Sequence, residues 1–285
     1  MLVFRFSELK LKSELQTPNI EPSDSRIEKR TSKLKTNSIK QKWSNKEAVL
    51  GVISNSSDPT IAELCGWSGL DFYMIDGEHS PVTTSEVQNI VRACESAGIT
   101  PLARIRSNDP KLILQFLDAG IMGVMMPGMM NAQDVENFVK AMKYPPMGER
   151  GLGPARVWDY GFGKMPQAEY VKFANEQTLV LPMIEDIRAL KYLPEMCKVE
   201  GIDGFIIGPR DLAMSMGFMD GPAHDEAKAV IDQIFRIVLD AGLVIGTVAA
   251  TGDQAKALIE KGALFCLNSV QGLIKTSATE FMKGK

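Results

Sequence analysis

From about Lys46 onward, short apolar runs alternate with longer segments whose apolar positions recur every three to four residues. The runs are 48–54 (AVLGVIS), 71–76 (DFYMID), 100–105 (TPLARI), 123–128 (GVMMPG), 179–185 (LVLPMIE), 204–208 (GFIIG), 243–249 (LVIGTVA) and 264–269 (LFCLNS). Runs of this length between polar segments read as buried strands, and the segments 85–97 and 131–143 carry the helical period. Glycine stands where a helix C-terminus wants it at Ala97-Gly98, Ala119-Gly120, Ala241-Gly242 and Lys261-Gly262. Eight strands separated by helices predict an α/β chain in which parallel neighbours are joined by helical crossovers, a (β/α)8 TIM barrel. An open doubly wound sheet is the alternative, but no GxGxxG follows the first strand. The longest connection, 144–167, is rich in Gly, Pro and Arg and is expected to shape the mouth of a site or an interface.

The alternation does not reach the N-terminus. Residues 1–35 are rich in Ser, Thr, Lys and Glu, and read as a basic, solvated extension preceding a barrel of residues 36–285. An organelle address or an oligomer arm is the alternative, although Glu8, Glu14, Glu21, Asp24 and Glu28 are unlike a transit peptide. Charge divides along the same line. Residues 1–47 carry 11 Lys and Arg against 6 acids, and the other 238 residues carry 21 against 29. A body that acidic is a poor nucleic-acid binder, so small molecules are the expected partners. No apolar run approaches the roughly 18–20 residues of a membrane span. Cys65, Cys94, Cys197 and Cys266 stand singly in apolar surroundings, as reduced thiols of a cytoplasmic protein do.

A barrel places its chemistry at the C-terminal ends of its strands. There the chain sets Asp76, Glu78 and His79 after the second run, Arg104 and Arg106 at the third, Glu185 and Asp186 at the fifth, and Gly208-Pro209-Arg210-Asp211 after the sixth. Glu185 and Asp211 form a plausible pair of hard oxygen ligands for a divalent cation. They suit acid–base work on a glycosidic bond as well, and Asp211 suits a helix N-terminus. His79 is a base, a metal ligand or a structural residue. His224 reads as a surface residue at a helix start. Arg104 either grips a carboxylate through paired hydrogen bonds or makes a surface ion pair. No lysine ends any of the eight runs, which leaves no Schiff-base candidate there. Met125, Met126, Met129 and Met130 read as packing, and 246–254 (GTVAATGDQ) is a weak phosphate-type turn.

Together, GLDFYMIDGEHSP, ARIRSNDPKLILQFLDAGIMGVMMP, KYPPMGERGLG, LVLPMIED and VEGIDGFIIGPRDLAMSMG resemble the HpcH/HpaI family of class II, metal-dependent pyruvate aldolases, from about Asn37 to the C-terminus. The resemblance implies a barrel of the pyruvate/phosphoenolpyruvate type that reversibly cleaves a 4-hydroxy-2-oxo acid to pyruvate and an aldehyde. It implies Glu185 and Asp211 as ligands of Mg²⁺, Mn²⁺ or Co²⁺, His79 as the base, and Arg104 as the group stabilising enolate charge. The backbone of Gly208, Pro209 and Arg210 would bind the substrate carboxylate, Asp118 would raise the basicity of the histidine, and Asp76 would support a water network. Met183 would be a substrate contact. Two positions depart from the family pattern: Met183 stands where Gln is common, and Arg210 where a small residue is usual. Asp118 ends a helix, on the side away from the catalytic face, and is expected to act across a subunit contact. The resemblance implies a homohexamer or homotrimer, with the C-terminal helix 271–285 swapped between subunits. The rival expectations are an oxaloacetate decarboxylase or macrophomate-synthase-like lyase, and a non-catalytic ligand-binding oligomer.

Overall fold

The computed structural model describes residues 34–284, and the expectations for the segment before Leu34 lie outside them. Eight parallel strands close into a barrel in chain order: β1 (Val49–Ser54), β2 (Phe72–Gly77), β3 (Thr100–Ile105), β4 (Gly123–Met126), β5 (Leu179–Ile184), β6 (Gly204–Ile207), β7 (Val244–Val248) and β8 (Phe265–Ser269). Each falls within a residue or two of an apolar run. Around and between them run α1 (Ser38–Ser44), α2 (Pro59–Trp67), α3 (Thr84–Ala97), α4 (Pro110–Ala119), α5 (Ala132–Met142), α6 (Gln167–Gln177), α7 (Leu193–Met196), α8 (Pro209–Ser215), α9 (Asp225–Asp240), α10 (Gly252–Glu260) and α11 (Val270–Met282). The chain is thus a (β/α)8 barrel, and the open-sheet alternative falls.

Helix starts follow local chemistry. Thr83 and Glu86 form a reciprocal capping box at α3, while Asp58 and Asp109 cap α2 and α4 ahead of a proline in the first turn. Thr251, in the phosphate-type turn, accepts the N–H of Gln254 and caps α10. His224 precedes α9 with no capping bond. Gly98, Gly120, Gly242 and Gly262 all have positive φ.

Strand alternation sorts side chains into two layers. Tyr73, Ile75, Ala103, Ile105, Val180 and Phe205 face the helices. Phe72, Met74, Leu102, Met125, Leu179, Leu181, Met183, Ile206, Phe265 and Leu267 fill the barrel. Room for the large ones comes from glycine on neighbouring strands. A Cβ on Gly51 would lie 2.5 Å from the Phe72 ring, and one on Gly246 would lie 2.7 Å from the Phe265 Cβ. Phe72 and Phe265 stack with ring centroids 4.2 Å apart.

Helix α1 closes the N-terminal end of the barrel. Ile39 is fully buried, and Trp43 meets Phe265 edge-on and donates its indole N–H to the Leu264 carbonyl at 2.9 Å. Asn37 caps α1 and donates Nδ2–H to the carbonyls of Met122 and Gln177, at 3.1 and 2.9 Å. The 144–167 connection lies at this same end, which corrects the expectation that it shapes the mouth of its own chain's site. It follows the C-terminus of α5, and its Arg150 and Arg156 pair with Asp118 and Glu95, near the C-termini of α4 and α3.

Candidate active site

The inward-facing period of the strands carries the site. On β2, Phe72 and Met74 point into the barrel and are followed two residues on by Asp76; on β3, Leu102 is followed by Arg104; past β5, Leu181 and Met183 are followed by Glu185. The upper layer of the barrel core is therefore polar where the layers beneath it are apolar. Asp76 and Arg104 are register partners across β2 and β3.

Asp76 is 2% exposed. It accepts Arg104 Nε–H at 3.0 Å and Nη2–H at 2.7 Å, and the backbone N–H groups of Glu78 and His79 at 3.1 and 3.2 Å. Burial alone would raise its pKa. The hydrogen bonds and charge of Arg104, with the two backbone N–H groups, outweigh that and hold the carboxyl below its usual range. One carboxylate thus aims the guanidinium and shapes the turn that presents His79, and the Ser80 hydroxyl closes that turn on the Asp76 carbonyl. Arg104 is neither a surface ion pair nor free: its remaining Nη1 lies 3.2 Å from Glu78 Oε2. Burial would lower the pKa of the guanidinium, but Asp76, Glu78 and Glu185 raise it further and keep it charged.

The His79 side chain is 64% exposed, with Nε2 3.8 Å from Glu78 Oε2. Glu185 is half-buried. Its Oε1 accepts the Gly128 N–H at 2.7 Å, and burial, opposed by that bond, raises its pKa with help from the charges of Glu78 and Asp211. Gly208 backs onto it: a Cβ there would stand 2.9 Å from Glu185 Cβ, 3.0 Å from Oε2 and 3.1 Å from the Met183 methyl. Met183 is 4% exposed and forms the apolar floor beside the carboxylate. Pro209, Arg210 and Asp211 form the first turn of α8 directly after Gly208.

The structure therefore brings His79, Arg104, Asp76, Glu185, Met183, Gly208, Pro209, Arg210 and Asp211 to one end of one barrel. Asp118 is not with them. It lies at the C-terminus of α4, at the opposite end, where it accepts Arg150 Nη2–H at 2.9 Å. Two contributors were given no particular role in the sequence reading. Glu78 stood there among the polar residues after the second run, but its bridging place between Arg104 and His79 is a matter of geometry. Gly128 supplies a backbone N–H from 57 residues away, for which the sequence holds no signal.

A family model described as HpcH/HpaI aldolase/citrate lyase matches residues 50–276. This chain belongs to that family. Membership makes it an enzyme of the aldolase kind. It is 36% identical over 236 residues to the 4-hydroxy-2-oxo-heptane-1,7-dioate aldolase of Shigella sonnei (strain Ss046), across 83% of this chain and 88% of that one. Among solved structures it resembles an HpcH/HpaI aldolase from Desulfitobacterium hafniense DCB-2, with a TM-score of 0.81, 29% identity, and 86% and 95% of the two chains covered. A family protein from Burkholderia cenocepacia J2315 gives a TM-score of 0.80 at 26% identity, covering 87% of this chain and 99% of that one.

Proposed function

We propose that this aldolase reversibly cleaves a 4-hydroxy-2-oxo acid to pyruvate and an aldehyde, with a divalent cation held by Glu185 and Asp211. The observation that carries the reading is the polar upper layer of the barrel, where a buried Asp76–Arg104 pair faces the Glu185 carboxylate. The donor set fits a hard cation. The charge of Asp211 adds to the cost of ionising the half-buried Glu185, and Asp211 has no hydrogen-bond partner among the described residues. No cluster of three His, Cys, Asp or Glu ligands occurs among them either. Two carboxylates completed by water and substrate oxygens suit Mg²⁺, Mn²⁺ or Co²⁺ better than an all-protein cage would. Such an ion supplies Lewis acidity toward the keto and carboxylate oxygens of the oxo acid.

The chain's own groups account for the remaining chemistry. Arg104, held by two bonds to Asp76, presents a fixed positive charge where the enolate oxygen develops its negative charge, so no reorganisation accompanies the step. His79, exposed on a turn that Asp76 anchors, takes the proton of the C4 hydroxyl as the C3–C4 bond breaks. The substrate carboxylate is received after β6 by the backbone N–H of Arg210 in the first turn of α8, beside Pro209, which has no N–H, and Gly208, whose N–H donates to the Ile184 carbonyl at 3.0 Å; Met183 packs against the oxo acid.

Asp118 enters this reading only through a second copy. We assign it to the His79 of a neighbouring subunit in a homohexamer or homotrimer. Helix α11 supports assembly: it has no buried residue, and Leu273, Ile274, Phe281 and Met282 are exposed along it, as a helix swapped onto a neighbour would be in isolation. Mixing inactive His79→Ala and Asp118→Asn subunits should restore partial activity if the site is shared; unrelieved inactivity after subunit exchange would remove Asp118 from it.

The main test is pyruvate release from a panel of 4-hydroxy-2-oxo acids and oxaloacetate, with EDTA and then with Mg²⁺, Mn²⁺ or Co²⁺ restored. Metal-restored cleavage of a hydroxy-oxo acid that is lost in His79→Ala supports the reading. Turnover of oxaloacetate alone, surviving that substitution, moves it to a decarboxylase. Silence with every metal overturns it in favour of a ligand-binding oligomer.

A further inference from the structure

We infer that Arg150 is a positioning residue: it holds the Asp118 carboxylate by one oxygen and leaves the other open to the imidazole N–H of the partner subunit's His79. The inference rests on the shared-site reading above. Four arginines among the described residues pair with carboxylates, and three of them use two bonds. Arg104 gives Nε–H and Nη2–H to the two oxygens of Asp76, Arg188 does the same to Asp186, and Arg156 gives Nη1–H and Nη2–H to the two oxygens of Glu95. Two parallel bonds are what a planar fork and a carboxylate favour. Arg150 departs from that pattern. It makes one bond, Nη2–H to Asp118 Oδ1 at 2.9 Å, while its Nε–H is buried with no acceptor and Asp118 Oδ2 has no hydrogen-bond partner among the described residues.

Glu95 is the control that the fold itself provides. Glu95 and Asp118 each lie in the last turn of a helix, α3 and α4, and each is answered by an arginine of the 144–167 connection. Their side chains are equally exposed, at 27% and 26%. A carboxylate there faces the carbonyl end of a helix, which is unfavourable, and the arginine offsets that cost in both places. Only the Asp118 pair is left open. Looseness in Arg150 does not account for it. Its side chain is 3% exposed, and its guanidinium carbon lies 4.5 Å from the centre of the Tyr144 ring. Its backbone N–H donates to the Lys143 carbonyl at 2.9 Å, and Tyr144 exchanges two hydrogen bonds with the Asn175 side chain at 2.7 and 3.0 Å. Gly148, in the same turn, has no room for a Cβ, which would stand 2.3 Å from the Lys143 carbonyl oxygen. The guanidinium is therefore fixed by its turn and by a ring, and Asp118 is the member that it holds. An unmet buried donor is costly. Closing the pair would relieve that cost but would use up Oδ2, the oxygen that a second subunit needs. A carboxylate on one imidazole nitrogen fixes the tautomer and leaves the other nitrogen to take a proton.

The test uses the metal-supplemented enzyme and cleavage of 4-hydroxy-2-oxoheptane-1,7-dioate, or of whichever member of the panel above the wild type turns over. Exchange of the pyruvate methyl protons in D₂O, followed by NMR, reports the oxo-acid half of the wild-type site with no aldehyde present. Arg150→Met keeps the stem that packs on Tyr144 and removes the donors. We expect kcat to fall about ten- to a hundredfold, the usual cost of losing a group that orients another, with KM unchanged. Arg150→Lys should recover most of kcat, because one charged donor is all that the pair uses. Arg150→Met should add no loss to Asp118→Asn, since it acts through that carboxylate. Subunit exchange tells which side of the shared site is damaged: Arg150→Met mixed with His79→Ala should regain activity, and Arg150→Met mixed with Asp118→Asn should not. Should Arg150→Met fail to assemble, the double variant, which leaves no unpaired charge, carries the same comparison with Asp118→Asn. A wild-type kcat in Arg150→Met, a loss that lysine does not relieve, an added loss in the double variant or recovery in the second mixture overturns the inference, while a slow Asp118→Asn enzyme keeps the shared site standing. An Asp118→Asn enzyme as fast as wild type removes the shared site and this inference with it. Absence of both methyl exchange and cleavage in the wild type removes the aldolase reading as well.

Discussion

Replacing Asp76 with Asn tests the pair on which the site is built. The carboxylate accepts four hydrogen bonds, two from Arg104 at 3.0 and 2.7 Å and two from backbone N–H groups at 3.1 and 3.2 Å. Its side chain is 3% exposed and that of Arg104 is 14% exposed, so water cannot replace what is lost. Breaking a buried pair by removing one charge costs about 3–5 kcal/mol. Asparagine keeps one acceptor oxygen for Nε–H and the two backbone groups, but turns an amide donor toward Nη2. The loss should therefore sit at the lower end, about 3 kcal/mol, read as the difference in urea unfolding free energy at pH 7. The sign of the pH dependence follows from the depressed pKa. Stability from a carboxylate lowered from 3.8 is fully present above that value and is lost as pH falls through the folded pKa. The difference between wild type and Asp76→Asn should thus stay flat from pH 7 to 5 and begin to shrink only below about pH 4. With Arg104 misdirected, pyruvate methyl exchange should drop by about 10²-fold, the loss of one preorganised charge donor. A destabilisation under about 1 kcal/mol at pH 7, or a difference already shrinking between pH 7 and 5, would refute the reasoning.

Other outcomes can be set beside it. Gly51→Ala places a Cβ 2.4 Å from the Phe72 carbonyl oxygen and 2.5 Å from its ring, and because backbone cannot move aside the cost should approach about 3 kcal/mol of unfolding free energy. A neutral effect would mean the barrel interior is looser than its stacked phenylalanines indicate. Added Mn²⁺ should raise the melting temperature of wild type and not of Glu185→Gln, since at a hundredfold excess over Kd a bound ion stabilises by about 2.7 kcal/mol; an undiminished shift in the variant removes Glu185 as a ligand. Lys143 is 2% exposed, with Nζ donating to the carbonyls of Asn175 and Thr178 at 2.7 and 2.6 Å, and burial lowers its pKa from 10.5 to about 8. Between those values the unfolded chain holds the proton more tightly. The advantage of wild type over Lys143→Met should then grow as pH rises from 8 toward 10.5, by up to about 3 kcal/mol. A pH-independent difference in unfolding free energy contradicts it.

Eight strands were legible because a barrel strand is apolar on both faces and so leaves an unbroken run. The same runs exposed Asp76, Arg104 and Glu185, each a charged residue at an inward position directly above an apolar one, Met74, Leu102 and Met183 respectively. Asp58-Pro59 and Asp109-Pro110 carry the proline that follows a cap, and both acids do cap α2 and α4. Long-range geometry was not legible. Nothing local says that the Gly128 N–H reaches Glu185, or that Glu78 turns its carboxylate to Arg104. Which of its two expected places the 144–167 connection takes, the mouth of a site or an interface, was not legible for a related reason: its Gly and Arg content signals a built loop, whereas its position depends on α5 ending at the N-terminal face and on Arg150 and Arg156 finding Asp118 and Glu95. Asp159 and Tyr160 within it adopt positive φ without being glycine, a conformation that composition does not announce.

The contact between Gly208, Glu185 and Met183 bears on how this enzyme's lineage can change. Position 208 has no room for a carbon, since any Cβ would press on the Glu185 carboxylate and the Met183 methyl at once. Position 185 is tethered by Gly128. Position 183 is under neither restraint: it ends in a flexible thioether chain that shares hydrogen bonds with nothing in the site. Inheritance of new substrates along this branch is therefore channelled. Two of the three corner residues are frozen together, and change at this corner has to enter through the third.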